Sequence, residues 1–173
     1  MRSSFRVAVA LGFAAALVMA CGNEKPPQTA AGAKTSSGET KGKGWSFDSF
    51  NGAGKCAVAS GKVTVVDIWA TWCEPCKKSF PKLQELQTKY EGKLAIVAIS
   101  SDDEKDGIAG FARTHGAKFP VCWDEKKDVI KKFDPKTMPS SYVLDKKGNI
   151  KFTHTGWKDG EEAELEKEIK SLL

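Results

Sequence analysis

Residues 22–44 contain no valine, isoleucine, leucine or methionine and no aromatic residue. A stretch of this composition cannot bury enough apolar area to offset the entropy lost when a chain is ordered. We therefore expect residues 21–44 to form a flexible tether. Residues 45–173 then remain as one domain of ordinary size.

The start of the chain lacks acidic residues, and Val7 to Ala20 lack charge altogether. Arg2 and Arg6 precede this apolar run, which is shorter than the about 20 residues that span a bilayer. The pattern predicts a secretory signal peptide over residues 1–20. The run ends in "LVMAC", which resembles the lipobox of bacterial lipoproteins. That resemblance implies cleavage before Cys21, lipid attachment to its thiol and an extracytoplasmic domain anchored to a bacterial membrane; an ordinary secretory peptide is the alternative.

The domain also lacks a patch of one charge. Without Arg2 and Arg6 the formal net charge falls from +5 to +3, and lysines alternate with acidic residues along the chain. We therefore expect a solvated surface and no nucleic-acid partner.

Two short apolar runs rich in branched residues, "VTVVDIWA" (63–70) and "LAIVAIS" (94–100), are typical of parallel strands covered on both faces. Apolar residues recur at helical spacing between them, so the unit is βαβ and right-handed. Further along the chain we predict helices near 105–115, 127–133 and 161–172. We also predict a strand near 119–123 and a pair of strands at 141–145 and 150–156. "WSFDSF" and "KCAVA" flank "NGAG" as a small N-terminal hairpin. The fold class is therefore α/β, with a mixed sheet between helices.

Cys73 and Cys76 lie at the junction between the first strand and its helix. The unpaired N–H groups and the dipole of a helix N-terminus stabilise an anion there, which lowers a thiol pKa. One helical turn brings the second sulfur within bonding reach of the first. The pattern favours a redox-active pair over a zinc site, which needs four ligands, and over a structural staple, which would close only a tiny loop. We predict no metal and no cofactor, and we interpret His115 and His154 as surface residues.

The segment "VDIWATWCEPCKKSFPKL" resembles the active site of the thioredoxin superfamily, and "TMPSSYVLD" resembles the loop that carries its cis-proline. A helix and the strand "FPVCW" are inserted between Cys73 and Pro139. With the "WATWCEPC" motif and the lipoprotein-type signal, this insertion makes the chain similar to the TlpA/ResA group of membrane-anchored thiol–disulfide oxidoreductases. The resemblance implies a thioredoxin fold over essentially all of residues 45–173.

The resemblance also implies roles for individual residues. Cys73 is the attacking thiol and Cys76 the resolving thiol. The predicted substrate-binding residues are Trp72, Pro75, Met138 and Pro139, with the last placing the backbone of Met138 against the disulfide.

Three acidic residues are further candidates. Asp67 interrupts an apolar strand, and burial would raise its pKa, so that it could accept the proton of Cys76. Glu74 lies between the cysteines, where its charge would destabilise the Cys73 thiolate and make the dithiol a stronger reductant. Asp103 lies near the position of a functional acid in some ResA-like members.

The group's known partners are a disulfide-containing client protein, which is apocytochrome c in some members, and a membrane thiol donor of the CcdA/DsbD type. We expect a monomer that acts as a reductant. Two other functions stay open. A thiol peroxidase would need a threonine three residues before its reactive cysteine and a nearby arginine. Here that position holds Ala70 for Cys73 and Cys73 for Cys76, and the domain has one arginine, Arg113. A non-catalytic metal- or partner-binding lipoprotein on the same scaffold is the other alternative.

Two cysteines are left over. Cys56 and Cys122 either form a second disulfide, which would tie the hairpin to the inserted strand, or stay as separate buried thiols. We expect Cys56 to be the more exposed of the two, because it follows Lys55 at the start of a weak strand.

Overall fold

The computed structural model describes residues 44–173, so the predicted signal peptide, the Cys21 lipid site and nearly all of the predicted tether lie outside the described residues. The strands are β1 (Phe47–Asp48), β2 (Lys55–Cys56), β3 (Val63–Trp69), β4 (Leu94–Ser100), β5 (Val121–Trp123), β6 (Ser140–Leu144) and β7 (Ile150–Thr155). The helices are α1 (Glu74–Lys89), α2 (Ile108–Thr114), α3 (Asp128–Phe133) and α4 (Glu161–Leu172). Within residues 44–173, no helix combines the length and the apolarity needed to cross a membrane.

The central sheet has five strands in the order β5-β4-β3-β6-β7. β3, β4 and β5 are parallel, whereas β6 runs antiparallel to β3 and pairs with β7 as an antiparallel hairpin. β1 and β2 form a separate antiparallel pair. The predicted mixed sheet, its βαβ unit and the N-terminal hairpin are therefore confirmed.

Both faces of β3 are buried, which explains its nearly continuous apolar sequence. Val65 and Trp69 pack with α1, α2 and α4 on one face. Val66 and Ile68 pack with α3 and the β1–β2 hairpin on the other. Because successive side chains of a strand point to opposite faces, Asp67 belongs to the face that α1 covers.

The hairpin is fastened to the sheet at β5. Cys56 and Cys122 form a disulfide with a Cα–Cα distance of 6.2 Å. The Phe50 N–H donates to the Val121 carbonyl at 2.8 Å, and the Asn51 side-chain amide donates to the Phe119 carbonyl at 2.8 Å. Of the two outcomes left open for these cysteines, the structure has the second disulfide.

The expectation that Cys56 is the more exposed cysteine is wrong, because both sulfur-bearing residues are fully buried. The hairpin is short, but it lies flat on the core formed by α3 and the sheet, and this docking removes Cys56 from solvent.

The expectation that His154 is a surface residue is also wrong. Its side chain is buried on β7, with Nδ1 2.8 Å from a Glu161 carboxylate oxygen and Nε2 2.6 Å from a Glu168 carboxylate oxygen. Burial alone lowers the pKa of His154, but the hydrogen bonds and charges of the two glutamates outweigh it and raise the pKa above its ordinary value. His154 therefore links β7 to the first residue of α4, Glu161, and to Glu168 in its second half. His115, by contrast, is half-buried beside Phe111.

We predict that His154→Gln lowers the free energy of unfolding by about 1–2 kcal/mol at pH 5.5 and by less at pH 9. The folded-state pKa is raised, so the stabilisation is complete below the unfolded-state pKa and is lost as pH rises through the folded-state pKa. Urea-induced unfolding at the two pH values measures this difference. His115→Gln, which changes the only other histidine, is the control and should not reproduce it. An equal loss at both pH values would show that His154 stabilises by packing alone.

Candidate functional site

The site is built where β3 ends and α1 begins. Cys73 has an extended backbone (φ −79°, ψ 105°) and caps the helix, and its Sγ accepts the Cys76 N–H at 3.3 Å. Pro75 stands in the first turn, where its missing N–H costs no helical hydrogen bond. Cys73 and Cys76 form a disulfide across this turn, with Cα atoms 5.3 Å apart. The helix-terminal position expected from the spacing is confirmed.

The two sulfurs are not equivalent. Cys76 is fully buried on the core side of α1, whereas Cys73 retains 3% exposure and lines a surface groove. An incoming sulfur can therefore approach Cys73, and Cys76 can be reached only from within the domain. This asymmetry matches the attacking and resolving roles that the resemblance implies.

The groove has a volume of about 370 Å³ and runs between the two loops that flank the disulfide. Its lining residues are Trp72, Cys73, Glu74 and Pro75 on one rim, and Pro135, Lys136, Thr137 and Met138 on the other. Trp72 is 72% exposed and forms the open side of the first rim. The Met138–Pro139 peptide bond is cis, as expected, and Pro139 lies buried directly behind Met138. Three of the predicted substrate-binding residues, Trp72, Pro75 and Met138, thus line the same groove as Cys73, and Pro139 directly follows Met138 in the chain.

Asp67 lies inside the domain on the face covered by α1. It is fully buried, its Oδ1 accepts the Ser141 hydroxyl at 2.6 Å, and its Oδ2 has no hydrogen-bond partner among residues 44–173. Burial raises the pKa of Asp67 to about 7, although the Ser141 hydrogen bond lowers it in part. The expected burial and raised pKa are confirmed, and the carboxylate can change its protonation state near neutral pH.

Glu74 is exposed, and its carboxylate forms an ion pair with Lys77 at 2.6 Å. The hydrogen bond and charge of Lys77 lower the pKa of Glu74. Glu74 is therefore charged at neutral pH, and Lys77 offsets part of its field at Cys73. Its role in tuning the thiol stays a prediction.

The acid that contacts the motif is Asp102, which sequence reasoning missed. Asp103, the acid that the resemblance pointed to, has a 99% exposed side chain and lies 3.6 Å from Lys127. Asp102 is buried, and its carboxylate accepts the Thr71 N–H and hydroxyl two residues before Cys73. The signal available for it was an acidic residue two positions after β4, the strand that pairs with β3, because functional side chains gather at the carboxyl ends of such parallel strands.

Within residues 44–173, no three His, Cys, Asp or Glu side chains are grouped as metal ligands. The described residues therefore offer no assembled metal site near the two cysteines.

Similar curated proteins are named as thioredoxin-like proteins or as thiol–disulfide oxidoreductases. The chain is 37% identical over 101 residues to the thioredoxin-like protein YneN of Bacillus subtilis, covering 57% of this chain and 59% of that one. It is 34% identical over 91 residues to the thiol-disulfide oxidoreductase ResA of Bacillus anthracis, covering 52% and 53%. The chain thus spans just over half of the length of these curated relatives. The similarity to ResA expected from the motif is confirmed.

Solved structures show the same fold. A DsbE thiol:disulfide interchange protein from Chlorobium tepidum superposes with a TM-score of 0.69 at 27% identity, covering 76% of this chain and 94% of that one. StoA from Bacillus subtilis superposes with a TM-score of 0.60 at 23% identity, covering 73% and 97%. Residues 49–153, which include the cysteine pair, match the AhpC/TSA family. The chain therefore belongs to the AhpC/TSA family and has a thioredoxin fold.

Proposed function

We propose that this protein is an extracytoplasmic thiol–disulfide oxidoreductase that reduces disulfides in client proteins through Cys73 and Cys76. The observation that carries the proposal is the asymmetric pair at the start of α1: one sulfur on a groove, the other buried behind it. ResA and DsbE, the similar proteins, carry thiol–disulfide names.

The proposed reaction starts with the Cys73 thiolate, which attacks one sulfur of the client disulfide. A Cys73–client disulfide forms, and the other client sulfur leaves as a thiolate and takes up a proton. Cys76 then loses its proton and attacks the Cys73 sulfur, which forms the Cys73–Cys76 disulfide and releases the second client thiolate. Two electrons have passed to the client, and a dithiol donor must return them.

Asp67 is the proposed acceptor of the Cys76 proton. It lies on the face of β3 that α1 covers, with one oxygen held by Ser141 and the other without a hydrogen-bond partner in the described part of the chain. A pKa of about 7 suits a base that must take and release a proton near neutral pH.

Asp67→Asn is expected to slow the resolving step by roughly 10–100-fold and to stabilise the domain. The Asp67 pKa rises from 3.8 unfolded to about 7 folded, so its ionisation destabilises the folded state increasingly between these values. The variant should gain about 4 kcal/mol in free energy of unfolding at pH 8 and well under about 1 kcal/mol at pH 4. Stopped-flow exchange across pH 6–9 and urea unfolding at both pH values measure the two effects. Glu125→Gln, at an exposed acid, is the control; exchange rates equal to wild type at every pH would limit Asp67 to a structural role.

The reducing direction has a direct test. Reduced protein should reduce the interchain disulfides of insulin, and equilibration with glutathione should give a potential well below the about −120 mV of a strong oxidant such as DsbA. A potential near −120 mV would instead indicate a protein that forms disulfides. The two-disulfide domain and the predicted signal peptide support an oxidising compartment, and the "LVMAC" sequence supports attachment to its membrane through Cys21.

The finer assignments in this proposal are a lipid-anchored monomer, an apocytochrome c or similar client, and a CcdA/DsbD-type membrane donor. They derive from the resemblance to the TlpA/ResA group. The alternatives have less support: for a peroxidase, Ala70 stands in place of the required threonine and Arg113 is exposed. For a metal-binding protein, the described residues group no ligand set.

A further inference from the structure

Ser101 and Asp102, the two residues that follow β4, hydrogen-bond to Trp69 and Thr71, which lead from β3 toward Cys73. The Asp102 carboxylate accepts the Thr71 N–H at 3.0 Å and the Thr71 hydroxyl at 2.8 Å. The Ser101 N–H donates to the Trp69 carbonyl at 2.8 Å. This short segment therefore fixes the turn that leads from β3 into Cys73.

The Asp102 carboxylate is buried and makes a further hydrogen bond beside those to Thr71. It is 6% exposed, and it also accepts the Ser100 hydroxyl at 2.7 Å. Hydrogen bonds to an ionised acceptor are roughly twice as strong as neutral ones, and burial shields them from water. Asp102 therefore holds Thr71 more firmly than a neutral side chain would.

The same segment also contacts the opposite rim of the groove. The Ser101 hydroxyl lies 3.0 Å from Met138 Sδ and 3.1 Å from the Trp69 carbonyl oxygen. Asp102 thus holds Thr71, the residue that precedes the first rim, and Ser101 contacts Met138 of the second rim. Because Ser101 and Asp102 are adjacent, the spacing between the rims depends on this segment.

The Ser101–Asp102 segment is itself held by hydrogen bonds from residues later in the chain. Trp123 Nε1 donates to the Asp102 carbonyl at 2.8 Å, and Lys127 Nζ donates to the Ser101 carbonyl at 2.7 Å and to the Asp102 carbonyl. These donors come from β5 and from the residue that precedes α3. The inserted part of the chain therefore supports the site without lining the groove.

We propose that Asp102 is a positioning residue that, by holding Thr71, keeps the Trp72–Pro75 rim in fixed register with the Met138 rim, and so sets the rate at which Cys73 reacts with a protein disulfide. The proposal rests on the reductase function proposed above. A client disulfide must be aligned between both rims to reach a near-attack geometry, and misplacement by about 1 Å can cost about 100-fold in rate. A small alkylating reagent needs only access to the sulfur.

The experiment compares Asp102→Ala and Asp102→Asn with wild type in two assays on the full, reduced protein. The first is the second-order rate of insulin disulfide reduction, and the second is the rate of Cys73 alkylation by iodoacetamide at the same pH. We expect Asp102→Ala to lower the insulin rate about tenfold and Asp102→Asn, which keeps one acceptor oxygen, to lower it less. The alkylation rate should change less than twofold in both. Glu104→Gln, at an exposed acid two residues further along, is the charge-matched control and should change neither rate.

Insulin rates that match wild type in both variants, with an active wild type, would refute the role of Asp102 and leave the proposed function intact. A parallel fall in both rates would also refute it, since Asp102 would then act on thiol reactivity and not on the rims. An inactive wild type would refute the reductase function and the inference together. If Asp102→Ala does not fold, Thr71→Val removes one donor to the carboxylate and should shift the two rates in the same unequal way.

Discussion

Changing Cys73 to serine is expected to reduce protein-disulfide reduction by about 1000-fold or more, because the hydroxyl cannot form the mixed disulfide. Cys73 is the one cysteine among the residues that line the groove, so no second thiol of the described residues can take its place there. Insulin reduction by the full-length variant measures the loss. The thermal stability of the reduced proteins should stay close to wild type, since the side chains are nearly the same size.

The matched variant is Cys76→Ala, which keeps the attacking thiol and removes the resolving one. It should accumulate a Cys73–client disulfide, visible on non-reducing electrophoresis and identifiable by mass spectrometry. Trapping of client by Cys73→Ser instead of by Cys76→Ala would reverse the two roles. The same trap, applied to a cell extract, would identify the client.

The double variant Cys56→Ala/Cys122→Ala is expected to lose about 4 kcal/mol of unfolding free energy in the oxidised protein. The lost disulfide joins residues 66 apart, and the entropy of closing a loop of that size in the unfolded chain gives this value. Urea-induced unfolding measures it. Insulin reduction at a temperature where the variant stays folded should be retained, because the disulfide lies on the face of the sheet opposite α1.

Cys73→Ala/Cys76→Ala is the control for that experiment. It removes a disulfide that spans only three positions, so the same relation gives a loss of about 2 kcal/mol. Peptide mapping without reduction should also find Cys56 linked to Cys122. Equal losses from the two double variants would show that the longer cross-link is not what stabilises the domain.

The sequence predicted the sheet well because β3 and β4 are apolar on both faces. The run Leu94–Ser100 is a strand with the predicted ends, and α4 spans the predicted residues 161–172. Cys73 and Cys76 were predictable for a similar reason, because their separation by one helical turn is a local property of the chain.

The remaining features depend on contacts between distant parts of the chain. His154 is buried because Glu161 and Glu168, on another element, meet it from two sides. Cys56 is buried because a hairpin of two-residue strands docks on α3 and β5, and no local pattern fixes where so short a hairpin lies. Asp102 is adjacent to an acid of the same type, and alternation along the chain does not say which of the two turns inward toward Thr71.

The docked hairpin also changes which backbone hydrogen-bonding groups the edge of the sheet exposes to other polypeptides. An outermost strand presents unpaired N–H and C=O groups that invite pairing with foreign strands, and β5 is the outermost strand beside β4. Here the Phe50 N–H already donates a hydrogen bond to a β5 carbonyl, and the Cys56–Cys122 disulfide keeps the hairpin attached to β5. We therefore expect the cross-link to limit aggregation through β5, because it keeps part of this edge from pairing with partly unfolded chains or with other copies of the protein.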